Sequence, residues 1–270
     1  MPEKSAGLGD QGPKAFWPSV KAFSQPRYVL EIFSGCARLS RAMASHGFVS
    51  FAYDIIYNDA CDLLQTQNLQ KLLAWIERHA HEIALVWLGT PYTSWSRARK
   101  HDGIGPPPLR DDSTFLMSGL PGLKSRDVTK VQEGNALLDV SKQIISQCKF
   151  YNIAFVLENP WTSRLWLTPT IRSFLDSGAQ LYQVDYCAFN MPWRKSTGLM
   201  QQGFPTLSTI LKICHPHFGR CQFSNHRHLH LTGKDSNNSW LTLRAQPYPP
   251  MLCNAIASTL AASRGTRESG

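Results

Sequence analysis

The segment Phe33-Ser34-Gly35-Cys36-Ala37 closes the apolar run Arg27 to Phe33. Small residues in a tight turn ahead of a helix let a ligand approach backbone N–H groups and the helix N-terminus. Asp54 follows about 20 positions later, where a strand–helix–strand unit places a carboxylate on a ribose diol. Asp62 and Leu63 offer an acceptor for an adenine amine and an apolar face for its ring. These residues read as a nucleoside-type site; a plain strand–turn–helix with a capping acid is the alternative. Farther on, Cys214 and Cys221 precede His226, His228 and His230. Two thiolates and an imidazole are ligands for tetrahedral Zn²⁺, and Cys214, Cys221 and His228 are the expected set. The spacing between the cysteines exceeds the usual two to four residues, so two buried thiols among surface histidines compete with that reading. Ser94 to Lys130 gathers Arg97, Arg99, Lys100, Arg110, Lys124 and Arg126, side chains suited to phosphate contacts. Asp102, Asp111 and Asp112 dilute that charge, so a solvated loop is the competing reading.

Regular elements must position these residues. Arg27 to Phe33, Val49 to Asp54, Ile83 to Leu88, Asn152 to Leu157 and Gln180 to Asp185 read as strands, and the fully apolar Ile83 to Leu88 as a central one. Helical spacing marks Ala37 to His46, Leu63 to His79, Val128 to Cys148, Thr168 to Ser177 and Met251 to Ala262. Gly47 is placed to end the first helix, and Pro249 and Pro250 to open the last. Strands alternating with helices predict an α/β domain with a mostly parallel sheet of Rossmann-like type. Ligands of such sheets sit beyond the carboxyl ends of the strands, so the residues that end each strand are the ones to read first. Residues 1–25 and 263–270 are predicted disordered, 26–262 a single domain, and 190–240 an irregular insert within it.

Composition narrows the class. The chain has 270 residues, 43% hydrophobic and 17% charged, which excludes bulk disorder and is enough for a full core. The formal net charge of +9 favours an anionic partner. Seven cysteines, an odd and scattered set, argue for a reducing compartment rather than a disulfide framework. No apolar run is long enough for a membrane span, so an intracellular protein without a membrane partner is expected, nuclear or cytoplasmic according to the cell. A monomer is the expected state. Trp161, Trp166, Trp193 and Trp240 read as packing residues, and Trp95 as a possible base-stacking side chain.

Taken in order, FSG after the first strand, an acid after the second, Gly89-x-Pro91-x4-Ser96 after the third and Glu158-Asn159-Pro160 after the fourth form a pattern. It resembles the DNA cytosine carbon-5 methyltransferases. Asp185 to Arg194 (DYCAFNMPWR) and the closing Tyr248-Pro249-Pro250-Met251-Leu252 are similar to that family's later segments. The resemblance runs from about Val29 to Ala262 and implies S-adenosylmethionine as cofactor and DNA as partner. It implies a cofactor pocket of Phe33, Ser34, Gly35, Asp54, Asp62 and Leu63. It implies Pro91 shaping the nucleophile loop, Glu158 on the base edge, and Arg194 on the base or a phosphate. In the family a Cys thiolate attacks cytosine carbon 6 and the resulting enamine takes the methyl group. Here Tyr92 fills that slot, a phenol of reference pKa about 10 and too bulky for a thiol's place. Catalysis is therefore expected to be impaired, with Cys36 and Cys187 the cysteines nearest to strand ends. Two alternatives stay open: a non-catalytic nucleic-acid-binding module, and transfer to an exocyclic amine. The second draws on the partial Thr90-Pro91-Tyr92 echo of the amino methyltransferases' signature. In family terms Ser94 to Lys130 is the mobile loop that closes over a flipped base.

Overall fold

A computed structural model describes residues 12–20, 26–99, 106–234 and 236–265. Its strands are β1 (Lys14–Phe16), β2 (Tyr28–Ile32), β3 (Val49–Tyr53), β4 (Ile83–Leu88), β5 (Phe155–Pro160), β6 (Gln180–Asp185) and β7 (Ser196–Gln202). The helices are α1 (Arg38–Ser45), α2 (Thr66–Arg78), α3 (Ser125–Phe150), α4 (Pro169–Asp176) and α5 (Pro250–Gly265). The strands form one sheet in the order β1-β3-β2-β4-β5-β7-β6, with β4 at its centre.

The sheet is mixed, which corrects the expectation of a mostly parallel one. Pairs β3/β2, β2/β4 and β4/β5 are parallel, while β1/β3, β5/β7 and β7/β6 are antiparallel. The architecture is α/β with helices on both faces, compatible with a Rossmann-like fold. Side chains alternate across the strands and build two cores. Leu30, Ile32, Val86, Leu88, Phe155 and Leu157 pack with α2, α3 and α4. Val29, Leu85, Trp87 and Val156 pack on the other face with α1 and α5. Central strands buried on both faces read as apolar runs, which is why β4, unbroken, and β2, interrupted only by Glu31, stand out in the sequence.

Four expectations change. Lys14–Phe16, inside the segment expected to be disordered, pair with β3 as an edge strand; residues 1–11, 21–25 and 266–270 lie outside the described ones. Strand β7 falls inside the expected 190–240 insert, so irregular chain begins only after Gln202, and mostly after a 3₁₀ turn at Pro205–Ile210. Its sequence, STGLMQQ, carries Gly and two Gln and lacks the β-branched richness that marks a strand. Strand β5 also extends through Glu158-Asn159-Pro160, which pair with Leu199, Gly198 and Thr197. The last helix runs through Gly265, past the domain end expected at residue 262. No helix among the described residues is long and apolar enough to cross a membrane.

Helix α1 starts without a capping side chain, because its N-cap, Ala37, has none to offer. Glu31 serves instead from β2: fully buried, it accepts from the Ser40 N–H at 2.7 Å and the Ser40 hydroxyl at 2.6 Å. Burial lifts its pKa to about 7, against the opposing pull of those donors. A carboxyl whose folded-state pKa exceeds its unfolded value stabilises fully below the unfolded pKa, and that stability is lost as pH rises through the folded one. A shift from 4.5 to about 7 corresponds to roughly 3 kcal/mol. Glu31→Gln keeps an acceptor for Ser40 and removes the titration. Urea unfolding from about pH 4 to about pH 8 should therefore show a loss of that order in the native protein that the variant lacks. Parallel pH profiles for the two would refute the assignment.

Candidate functional site

A cavity of about 680 Å³ opens at the carboxyl ends of β2, β3, β4 and β5. It lies where the chain order switches from β2–β3 to β4–β5, the usual ligand position of such sheets. One wall comes from the turn after β2. Phe33, Gly35 and Ala37 there have φ of 58°, 51° and 51°, so two side-chain-bearing residues and a glycine share a left-handed turn. Each such non-glycine residue costs about 1 kcal/mol or more, and the surroundings must hold it in place. They do: the Gly35 N–H donates to Asp54 Oδ2 at 2.7 Å, and the Tyr57 hydroxyl to the Gly35 carbonyl at 2.6 Å. Asp54 Oδ1 accepts from the Ile56 N–H at 3.1 Å, so each carboxylate oxygen keeps capacity for a further donor. Ser34 Oγ is buried on this wall without a protein partner. Ile55 and Ile56 stand 57% and 65% exposed at the edge, where they add apolar surface to the lining. Asp62, Leu63 and Leu64 complete that side.

The other wall holds Gly89, Pro91, Tyr92 and Glu158. All six residues expected around a nucleoside are thus in one cavity with three of the four expected at the reacting end. The exception is Arg194. Its guanidinium is bound to Asp185 at 2.9 Å and lies outside the cavity lining. The next residue, Lys195, is likewise outside that lining but reaches Glu158: its Nζ stands 3.7 Å from Glu158 Oε1 and lies over the rings of Tyr92 and Tyr186, at 5.4 and 4.9 Å. The Trp193-Arg194-Lys195 run offers two cations just ahead of β7, and nothing in their sequence says which of them meets Glu158.

Burial is the dominant influence on this pair. It raises the Glu158 pKa, and it lowers that of Lys195, each against the partner's attraction. Tyr248 also bonds Glu158 and in turn accepts from Trp87 Nε1 at 3.0 Å. A Cβ on Gly89 would come within 2.6 Å of the Tyr248 hydroxyl, so that position must stay bare. Asn159 ties the two strand ends together, donating to the Thr90 carbonyl at 2.8 Å. Tyr92 is half-buried, and burial and Glu158 push its pKa up to about 12. It is a neutral phenol at pH 7. Cys36 and Cys61 do line the cavity, but on the wall of Asp54 and Asp62. Cys187 stands elsewhere, with Cys214, Cys221 and His228.

The basic segment behaves differently from expectation. Arg110 is buried, 3.4 Å over the Trp95 ring, and donates to Ser94, Met117, Val131 and Asn135. Trp95 is 2% exposed and donates to the Gly134 carbonyl, so it is packed and not available for stacking on a base. Arg97 pairs with Asp112 at 2.7 Å and Arg99 with Asp127 at 3.5 Å. Lys100 lies outside the described residues. Lys124 and Arg126 are exposed at the start of α3. Arg126 precedes the cavity residue Glu133 by seven positions, which is one helical face and about 10 Å along the axis.

Comparison with models of known protein families finds no match, and a search of curated proteins finds none either.

Removing Lys195 leaves Glu158 buried without its cation. Lys195→Met should cost on the order of 3 kcal/mol at about pH 8, where the carboxylate must be charged or take up a proton. The folded-state pKa of Glu158 is raised, so the cost shrinks as pH falls below its unfolded value and the carboxyl becomes neutral in both states. Urea midpoints of variant and native protein should converge toward about pH 4. A deficit independent of pH would mean that Lys195 contributes packing alone.

Proposed function

We propose that the chain binds S-adenosylmethionine and a cytosine of DNA in this cavity, as a relative of the DNA cytosine carbon-5 methyltransferases that does not form their covalent adduct. One observation carries the reading: a single cavity joins Ser34, Gly35, Asp54, Asp62 and Leu63 to Pro91, Tyr92 and Glu158. The residues suit the cofactor. Asp54 offers acceptors to a ribose diol, and Ser34 a hydroxyl without a protein partner. The exposed Ile55 and Ile56, with Leu63, offer apolar contact to a purine, and Asp62 faces its amine. When bound, S-adenosylmethionine supplies an electrophilic methyl group.

Glu158 suits a cytosine. Burial favours its protonated form, and a protonated carboxyl donates through one oxygen and accepts through the other. That is the complement of ring N3, an acceptor, beside the exocyclic amine, a donor. Lys195, 3.7 Å from Oε1, supplies a positive charge beside the carboxyl. Tyr92 offers a ring face and a neutral hydroxyl in place of a thiolate. Phosphate contacts would come from Lys124 and Arg126, and from the segment between Leu211 and Lys234. That segment holds Lys212, Arg220, Arg227 and Lys234 and no acid.

Titration calorimetry with S-adenosylmethionine should show saturable binding, weakened about tenfold in Asp54→Ala through loss of a charged hydrogen-bond acceptor. Absence of heat at millimolar cofactor would end the methyltransferase reading and leave a bare nucleic-acid-binding module. A duplex carrying 5-fluorocytosine should form no covalent adduct with the native chain and should form one with Tyr92→Cys. An adduct with the native chain would show that another cysteine serves. Transfer of labelled methyl to an exocyclic amine would replace the carbon-5 assignment.

A further inference from the structure

We propose that Cys187, Cys214, Cys221 and His228 hold a structural Zn²⁺ ion that folds residues 211–231 onto the main domain. The inference stands apart from the cofactor cavity and does not depend on it. The four side chains come from distant stretches: Cys187 from the 3₁₀ turn after β6, the others from irregular chain beyond β7. Their ligand atoms all lie within 4.8 Å of one another.

The distances are those of a metal cage. Cys214 Sγ lies 3.8 Å from Cys221 Sγ and 3.7 Å from His228 Nε2. Tetrahedral ligands bound at about 2.3 Å for sulfur and about 2.0 Å for nitrogen are about 3.8 and 3.6 Å apart. A disulfide would need about 2.05 Å, and three sulfurs cannot pair off. Thiolate and imidazole donors select zinc over magnesium or calcium. Four protein ligands close the coordination shell, the mark of a structural site rather than a catalytic one.

The surrounding chain needs such a staple. Cys187, Cys214 and Cys221 form a buried cluster of their own, joined by no aliphatic side chain. Leu211 packs on the main core, but beyond it four large apolar side chains are exposed: Ile213 by 38%, Phe218 by 88%, Phe223 by 39% and Leu229 by 48%. Secondary structure there is limited to single bridges such as His217–Arg220 and Arg220–Arg227. A segment that buries no apolar core of its own takes its stability from a metal or a disulfide.

The local backbone serves the sulfurs. The Phe223 N–H donates to Cys221 Sγ at 3.4 Å, a bond that favours the thiolate. The Cys214 N–H donates to Asp185 Oδ2 at 2.8 Å, the same oxygen that binds Arg194. The Leu229 N–H reaches the Pro192 carbonyl at 2.7 Å. On binding, each of three thiols gives its proton to solvent and its lone pair to the metal, while His228 binds as neutral imidazole. The complex carries a net charge of −1, on a stretch of chain that also holds Lys212, Arg220 and Arg227.

The test uses the full chain, purified and dialysed against metal-free buffer, with metal content read by mass spectrometry. One zinc per chain is expected, and Co²⁺ in its place should show thiolate charge-transfer and tetrahedral absorption bands. Cys187→Ser should retain at least tenfold less zinc under a chelator that leaves the native protein loaded. His230→Ala, two residues from the proposed ligand His228 and exposed, should keep one zinc. A stronger chelator acting on the native chain should make residues 211–234 sensitive to protease while the helical circular dichroism persists, which keeps the test valid if a variant misfolds. The proposal is overturned by folded native protein with less than about a tenth of a zinc per chain and all thiols free. Zinc content unchanged in Cys187→Ser would overturn it equally. Neither result bears on cofactor binding, which calorimetry reads separately.

Discussion

A carboxyl group cannot be buried alone, and the arrangement around Glu158 follows from that constraint. Its position near the end of β5, at the carboxyl edge of a sheet covered on both faces, removes it from water. Desolvation of a lone carboxylate costs several kcal/mol, so a cation and hydrogen-bond donors must come with it. Lys195 and Tyr248 fill those roles. Each arrives from a different part of the chain, one through the antiparallel pairing of β7 and the other through the segment before α5. The two antiparallel pairs of β7 are therefore more than a departure from a parallel sheet. They are the route by which a cation reaches the end of a strand that parallel neighbours alone would leave without one.

The opposite wall is built on a second constraint, that left-handed backbone must be held. Phe33 and Ala37 adopt it without being glycine, and the holding atoms are Asp54, Tyr57 and, one turn into α1, Glu31. Asp54 has two connected duties. It fixes the turn through the Gly35 N–H, and its remaining acceptor capacity faces the cavity. A side chain already locked by the protein loses little freedom when it meets a ligand, and this pre-organisation makes a small polar contact effective.

The sequence was most legible where one constraint governs a segment. Strands β2 and β4 are buried on both faces and read as apolar runs; Ile83–Leu88 is placed to the residue. The turn, Asp54, Asp62 and the Glu158 strand end could be read because βαβ units bring strand ends together. Legibility failed where meaning came from a partner strand. In STGLMQQ, Gly198 is needed because the Trp166 ring lies within 3.1 Å or less of where its Cβ would be, a tertiary fact with no local signature. Arg194 and Lys195 are adjacent cations whose opposite fates depend on the register of that strand. Cys187 was hidden differently: the Asp-Tyr-Cys context drew attention to the strand end, while its ligand partners lie 27 or more residues away in sequence.

Charge shows why composition alone misleads about partners. The basic segment Ser94 to Lys130 carries seven Lys and Arg against four Asp, and several of its cations are spent internally. Arg110 is consumed by a buried site made possible by Gly134, since a Cβ there would collide with Ser94 and crowd the Arg110 guanidinium at 3.0 Å. Arg97 and Arg99 are matched by Asp112 and Asp127. The exposed Arg97–Asp112 pair adds little stability, and both pairs lower the local positive field. The excess positive charge is carried instead by Lys124 and Arg126 at the start of α3 and by the acid-free stretch from Leu211 to Lys234. In that stretch the cations stand on a chain with almost no core of its own. Whatever holds residues 211–231 together therefore also sets the shape of this acid-free basic stretch, so structural metal and polyanion would be coupled through the fold rather than through direct contact.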